Sequence, residues 1–255
     1  MVLDQVQSQK AKDSIKIKVI GVGGGGNNAV NQMINFKVQG VEYIQVNTEK
    51  GILERANSLG RQTLQIGKET SNGLGAGANP EIGEKSARES INEIDKILDG
   101  ADLVFLTAGM GGGTGTGAIP IIAEEAKKKG ILTVGVVTKP FTFEGRLRNA
   151  RAKIGIEKLK PNVNALIVIS NNQLLVNTET NISILNAFKL TDDVLRQAIE
   201  SITDLVNSIG TINVDFADIR TILSYEGLSY MGIGEATGEA KVENATKAAL
   251  ANPLT

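Results

Sequence analysis

"MGGGTGTG", residues 110–117, decides how this chain is read. Five of the eight residues are glycine and two are threonine, set between "ADLVFLTAG" and "AIPIIAEEAKKKG". Each glycine costs about 1 kcal/mol wherever regular structure is wanted. The run follows an apolar stretch, Leu103–Thr107, that reads as a buried strand, and it opens a predicted helix over Ala118–Lys129. At such a junction bare glycines let the backbone approach an anion, and the free amides of a helix start point towards it. Thr114 and Thr116 add uncharged hydroxyl donors.

A second run, "GVGGGGNNA" (Gly21–Ala29), follows the first predicted strand and also opens a helix. Alone it resembles a weak dinucleotide fingerprint, with Glu49 near the place of a ribose-binding acid. That leaves NAD binding and a general nucleotide site both open. If the strands order as 3-2-1-4-5-6, both glycine loops face one crevice, as suits a di- or triphosphate. The plainer alternative is that each run is only a tight turn. No G-x-x-x-x-G-K-[ST] occurs; in the nearest Gly-Lys, "GKET" (Gly67–Thr70), the residue after the lysine carries no hydroxyl.

Outward from these loops the texture is α/β. Runs at Ile15–Gly21, Glu42–Asn47, Leu103–Thr107, Leu132–Thr138 and Ala165–Ser170 read as strands, with Leu64–Ile66 a weaker sixth. Asn79-Pro80 caps a helix that Gly100 stops after Leu98, and Lys127–Lys129 with Gly130 close another. The expectation is a Rossmann-like, mostly parallel six-stranded sheet with helices on both faces. A long helix over Asp192–Ile209, with Thr191 as N-cap and Gly210 as stop, follows. Short helices near Phe216–Leu223 and Glu239–Ala251 then read as the start of a truncated second domain.

Composition narrows the chemistry. The 255 residues hold no Cys and no His, with 41% hydrophobic residues and a formal net charge of -1. Thiolate sites, disulfides and His-based triads are excluded. Catalysis must run on carboxylates, Lys/Arg, hydroxyls, amides and a hard cation, which suits phosphate chemistry. The near-neutral charge argues against nucleic-acid or anionic-membrane binding. The polar opening "MVLDQVQSQKAKD" lacks a signal-peptide core, and no apolar run could span a bilayer, so a cytoplasmic protein without direct membrane insertion is expected.

"GVGGGGNNAV", "GLGAGANPEIG", "GMGGGTGTGA", "VGVVTKPFTFEGR" and "NVDFADIRTI" occur in that order. Together they resemble the tubulin/FtsZ family of filament-forming GTPases, whose signature is "GGGTGTG". The similarity runs from about Ile15 to Thr255. It implies a flexible tail over 1–13, a GTP-binding domain over 14–190, a central helix over 191–210, and a catalytic loop with the start of a truncated domain over 211–255. The implied nucleotide loops are Gly24, Gly25, Gly26, Asn27 and Asn28; Gly75, Ala76, Gly77 and Ala78; and Gly111, Gly112, Gly113, Thr114, Gly115, Thr116 and Gly117. Glu144 and Arg148 would hold the ribose and phosphate side. Asn28, Asn171 and Asp192 would face guanine, with Phe188 stacking on the base. A carboxylate suits guanine because it accepts both N1–H and the N2 amino group, a donor pair adenine lacks. From the residues alone, Asp192 reads as an ordinary first-turn acid of the long helix, a role Asp193 could also fill.

The resemblance further implies that Asp215, Asp218 and Asn213 form a loop inserted into the next subunit's pocket. There they would orient and polarise the attacking water, with GTP/GDP and Mg²⁺ bound mainly through phosphates and water rather than through direct protein ligands. Without the family, Asp215 and Asp218 read as an N-cap and an N3 acid. A head-to-tail homopolymer at the mid-cell division ring, joined by adaptor proteins, follows from the same resemblance. Two departures stand out. Glu49 replaces the more usual Asp near the phosphate–Mg²⁺ region, and Asn172 with Gln173 replaces a charged pair. The rival readings are an NAD-dependent oxidoreductase and a nucleotide-binding structural module with little or no hydrolysis.

Overall fold

The computed structural model describes residues 15–38, 40–176, 182–207, 216–224, 234 and 236–251. Six strands form one sheet: β1 (Ile17–Val22), β2 (Val41–Asn47), β3 (Gln62–Gln65), β4 (Leu103–Gly109), β5 (Leu132–Lys139) and β6 (Ala165–Ser170). Their order is β3-β2-β1-β4-β5-β6, and every pairing is parallel. This is the 3-2-1-4-5-6 order on which the single-crevice reading of the two glycine loops depends. It places the chain reversal between β1 and β4, where Gly21 pairs in register with Thr107.

The strands are apolar along their whole length because both faces are covered. Alternate residues enter separate cores. Ile20, Val22, Val104, Leu106 and Ala108 face one side, and Ile17, Val19, Leu103 and Phe105 face the other. The first core is closed by α3 (Pro80–Glu89), α4 (Ile91–Leu98), α5 (Thr114–Lys128) and α6 (Arg146–Leu159). The second is closed by α1 (Gly23–Asn35), α7 (Asn171–Val176) and α8 (Ile184–Asn207). The edge helix α2 (Lys50–Ser58) joins β2 to β3. Val194, Leu195 and Ile199 of α8 are buried, each worth about 2 kcal/mol of transfer free energy. Two helices follow the central one, α9 (Phe216–Leu223) and α10 (Lys241–Ala251).

Three helix boundaries differ from the sequence expectation. The helix expected to run from Pro80 to Leu98 is broken at Ser90, whose φ of -101° and ψ of 28° leave the helical region. There Ser90 Oγ accepts from Gly67 N at 3.0 Å, so the break anchors the 67–75 loop. Helix α5 starts at Thr114 rather than Ala118, so half the glycine run is itself helix. Helix α8 starts at Ile184, and Thr191 is no cap: it is buried mid-helix, with Oγ1 donating to Ala187 O at 3.1 Å. Ser183 does the capping, accepting from Asn186 N at 3.2 Å. The expected stop at Gly210 lies outside the described residues.

Candidate functional site

Both glycine runs sit beyond the C-terminal ends of β1 and β4, and they lock into each other. A Cβ on Gly23 would stand 2.8 Å from Gly115 N, and one on Gly26 would strike the carbonyl of Thr107. On the far side, a Cβ on Gly117 would strike Pro80 O and come within 2.6 Å of Glu84 N in α3. These glycines are needed for backbone-on-backbone packing within the protein. Gly24 and Gly112 differ: nothing lies within 4 Å of a Cβ at either position. Gly24 in the first turn of α1 and Gly112 just ahead of α5 are where the two loops open outward, beside helix-start amides that have no intrahelical partner.

Side chains buried under the loops brace them. In the orientation that satisfies both ends of its amide, Asn27 Nδ2 donates to Gly21 O (2.7 Å) and Gly23 O (3.2 Å). Its Oδ1 then accepts from Asn47 Nδ2 at 3.0 Å. Asn47 Oδ1 in turn accepts from Thr48 N at 2.9 Å, and the hydroxyls of Thr48 and Thr114 are 2.6 Å apart. Thr116 Oγ1 accepts from Gly111 N at 2.8 Å. Asn27, Thr114 and Thr116 are thus held inward as struts, whereas Asn28 is exposed at the surface of α1. Asn47 and Thr48 were not singled out from the sequence; an ordinary strand end gives no sign of such a role.

The third loop meets the second. Gly113 lies against Ala76 and Asn79, where a Cβ would be 2.8 Å from Asn79 N. Ala78 shares a cleft of about 400 Å³ with Gly111, Gly112, Gly113, Glu144, Leu147, Arg148 and Arg151. Glu144 is fixed from two sides, with Oε1 accepting from Phe141 N at 2.8 Å and Oε2 3.1 Å from Arg148 Nε. Glu49 stands at the outer rim. It is exposed, bridges to Leu74, and has its Cβ 3.9 Å from a Cβ built on Gly75. Gly77 is exposed beside it.

A chain of contacts carries the site to its other end. Asn172 Oδ1 accepts from Thr142 N at 3.0 Å, tying the start of α7 to the loop after β5. In that loop Phe141 and Phe143 stack with ring centroids 4.8 Å apart. Phe188 meets both edge-on, at 5.4 Å and 6.4 Å. Asp192 lies one turn further along α8 on the same face. It is about two turns inside the helix, so the first-turn-acid reading falls. Asp193 is spent on the surface, bonded to Arg196 Nε (2.8 Å) and Gln197 Nε2 (2.7 Å). Burial alone pushes the Asp192 carboxyl up to about 7. Asn171 is buried, and its Oδ1 has no hydrogen-bond partner among the described residues. This end therefore holds two polar groups whose bonds the protein does not complete.

The comparisons with known proteins agree with this geometry. A family model described as the GTPase domain of the tubulin/FtsZ family matches residues 16–179. The chain belongs to the tubulin/FtsZ family. An FtsZ from M. jannaschii, solved as an empty dimer, superposes with a TM-score of 0.90 at 40% sequence identity. That match covers 98% of this chain and 72% of the FtsZ chain. CetZ2 from Haloferax volcanii, solved as a GTPγS-bound protofilament, shares the fold with a TM-score of 0.77 at 23% identity, over 92% of this chain and 70% of its own. The tubulin/FtsZ GTPase fold thus accounts for the sheet, the two glycine loops and the central helix, and makes the chain a tubulin-like GTPase.

The segment that the resemblance pairs with this crevice lies elsewhere. Asp218 is exposed in the first turn of α9. That helix is held at the opposite ends of the strands, where Arg220 Nη2 donates to Gly130 O at 3.0 Å just before β5 begins. Asn213 and Asp215 lie outside the described residues.

Proposed function

We propose that the chain binds GTP with Mg²⁺, stacks head to tail into filaments, and hydrolyses GTP where one subunit meets the next. The observation that carries this reading is the distance between Asp218 and the crevice of its own chain. The glycine loops lie beyond the C-terminal ends of the strands, whereas α9 is anchored near the start of β5. Eight residues of β5 separate the two ends by about 25 Å. A carboxylate on α9 does not cross that span, but a second copy stacked along the strand direction would bring its own α9 to the first copy's crevice. Such a contact is heterologous and propagates as a filament.

In this reading the phosphates lie on the first turns of α1 and α5, and guanine fills the end with Asn171 and Asp192. Asp192 takes the N1–H and N2 donors, and Phe188 offers its free face to the base. Asp215, Asp218 and Asn213 of the neighbour orient water for attack on the terminal phosphorus. The bond to the bridging oxygen breaks, leaving GDP and phosphate. Mg²⁺, held mainly by the phosphates and water, would supply charge neutralisation there. A filament of this kind would act in cell division, in the cytoplasm at a mid-cell ring, with adaptor proteins linking it to other components. The dimer in which the similar FtsZ was solved supports self-association.

GTP turnover measured against protein concentration tests the proposal. Turnover per molecule is expected to rise steeply with concentration, and Asp215→Ala is expected to keep GTP binding while losing hydrolysis. Turnover per molecule that is independent of concentration would rule out an interfacial site. Binding with no turnover at any concentration would favour a structural nucleotide-binding module instead.

A further inference from the structure

Two arginines stand on the wall of the cleft that contains Gly111–Gly113, and one of them has no partner. Arg148 is tied to Glu144 at 3.1 Å. Arg151, one turn further along α6, lines the same cleft, is half-buried, and has no ion pair or hydrogen bond among the described residues. Of the two carboxylates that line an adjoining cleft, Glu84 accepts from Lys158 at 2.9 Å and from Arg88 at 3.0 Å, and Glu81 is exposed and not paired with it. A half-buried guanidinium without a counter-charge loses hydration with no return, so its position favours an anionic ligand.

Packing fixes where Arg151 sits. A Cβ on Gly111 would lie 2.6 Å from Arg148 O, so the backbone of α6 rests directly on the glycine loop. Two turns on, a Cβ on Gly155 would lie 2.8 Å from Met110 Cε and strike Thr116. Helix α6 is therefore clamped across the first turn of α5 at residues 148 and 155, and Arg151 falls between the clamps. It also borders a second cleft, of about 390 Å³, beside Asn79, Thr116 and Gly117. Glu144 lies just before α6, which begins at Arg146, and Arg151 stands about 7 Å further along it at helical rise. A nucleotide whose ribose lies at Glu144 has its terminal phosphate at about that reach.

We propose that Arg151 is a phosphate-binding residue, giving the terminal phosphate of a bound guanosine triphosphate a two-pronged hydrogen-bonded contact. It makes the site discriminate triphosphate from diphosphate. This inference rests on the guanine-nucleotide reading above. The test is equilibrium titration of wild type, Arg151→Gln and Arg151→Lys with a non-hydrolysable GTP analogue, GDP and guanosine. Arg151→Gln is expected to weaken the triphosphate about tenfold, GDP less, and guanosine not at all. Arg151→Lys is expected to recover part of the loss, because it keeps the charge without the fork. Wild-type affinity for the triphosphate in Arg151→Gln, or an equal loss for guanosine, overturns the assignment while leaving the guanine reading intact. A wild type that binds no guanine nucleotide overturns both.

Discussion

The two ends of the crevice are built in opposite ways. At the phosphate end the protein contacts itself: α1 meets α5 through Gly23 and Gly115, α5 meets α3 through Gly117, and Asn27 is fully bonded beneath them. At the base end the protein stops short, leaving Asn171 Oδ1 without a donor and Asp192 desolvated. The glycine framework of the first end is complete without a ligand, although Arg151 on its wall and the buried Thr107 Oγ1 beneath it have no partner among the described residues. The second carries an unmet cost that a ligand with the right donors relieves. Rigidity at one end and unsatisfied polarity at the other divide the work, so affinity and stability respond differently to changes at each.

The largest expected effect comes from filling the glycine lock. Gly117→Ala puts a Cβ into the backbone of α3 at Pro80 O and Glu84 N, neither of which can rotate away. A loss of about 3 kcal/mol is expected, lowering the thermal midpoint by roughly 10 °C. Gly24→Ala fills open space and is expected to change stability by less than about 0.5 kcal/mol, acting instead on nucleotide affinity. Thermal denaturation without nucleotide separates the two. Equal destabilisation by both variants would break the distinction between locking and open glycines.

Asp192 is the sharpest probe of the other end. Asp192→Asn is expected to weaken guanine nucleotides about 100-fold. It should also stabilise the unliganded fold, because it removes a desolvated carboxylate. The pH dependence runs in two directions. Binding needs the carboxylate, so affinity falls about tenfold per unit as pH drops below the carboxyl's value of about 7. Folding behaves in reverse. The folded-state value lies above the ordinary aspartate value of 3.8, so this group's contribution is fully present below 3.8 and is lost as pH rises through about 7. Nucleotide titrations and unliganded melts between about pH 5 and about pH 7 should therefore move oppositely. Parallel movement would mean that Asp192 is not the group being read.

The same division explains what was legible in the sequence. The phosphate end is written in glycine at strand–helix junctions, a pattern with few other uses, and the parallel six-stranded sheet followed from the alternation of elements. The function of individual glycines was not legible, because a glycine that admits a ligand and one that admits another helix look alike. At the base end Asp192 and Asp193 are neighbours of the same type. Only the true helix start, at Ile184 after the Ser183 cap, shows which of them turns inward. That start was hidden because Ile184 and Leu185 are exposed and lend no core periodicity. Arg151 and Asn172 carry no motif, and their roles appear only once α6 and α7 are packed.

The smallest effect tests whether the loop between these ends stores strain. Ala78 holds φ at +57°, a left-handed conformation that costs a residue with a Cβ about 1 kcal/mol. Its neighbours enforce it: Asn79 N donates to Ala76 O at 2.9 Å, and Asn79 Oδ1 caps α3 by accepting from Glu81 N at 3.0 Å. Ala78→Gly relieves the strain but enlarges the unfolded ensemble, so a net gain below about 1 kcal/mol is expected in thermal or denaturant unfolding. Nucleotide affinity should move the other way, weaker by about threefold, because Gly77 followed by a second glycine leaves more backbone freedom to freeze on binding. If stability rises and affinity is unchanged, Ala78 is only the turn into α3. If affinity falls as stability rises, the strained alanine keeps the cleft wall in place, and the phosphate end owes its readiness to this loop as well as to its interlocked glycines.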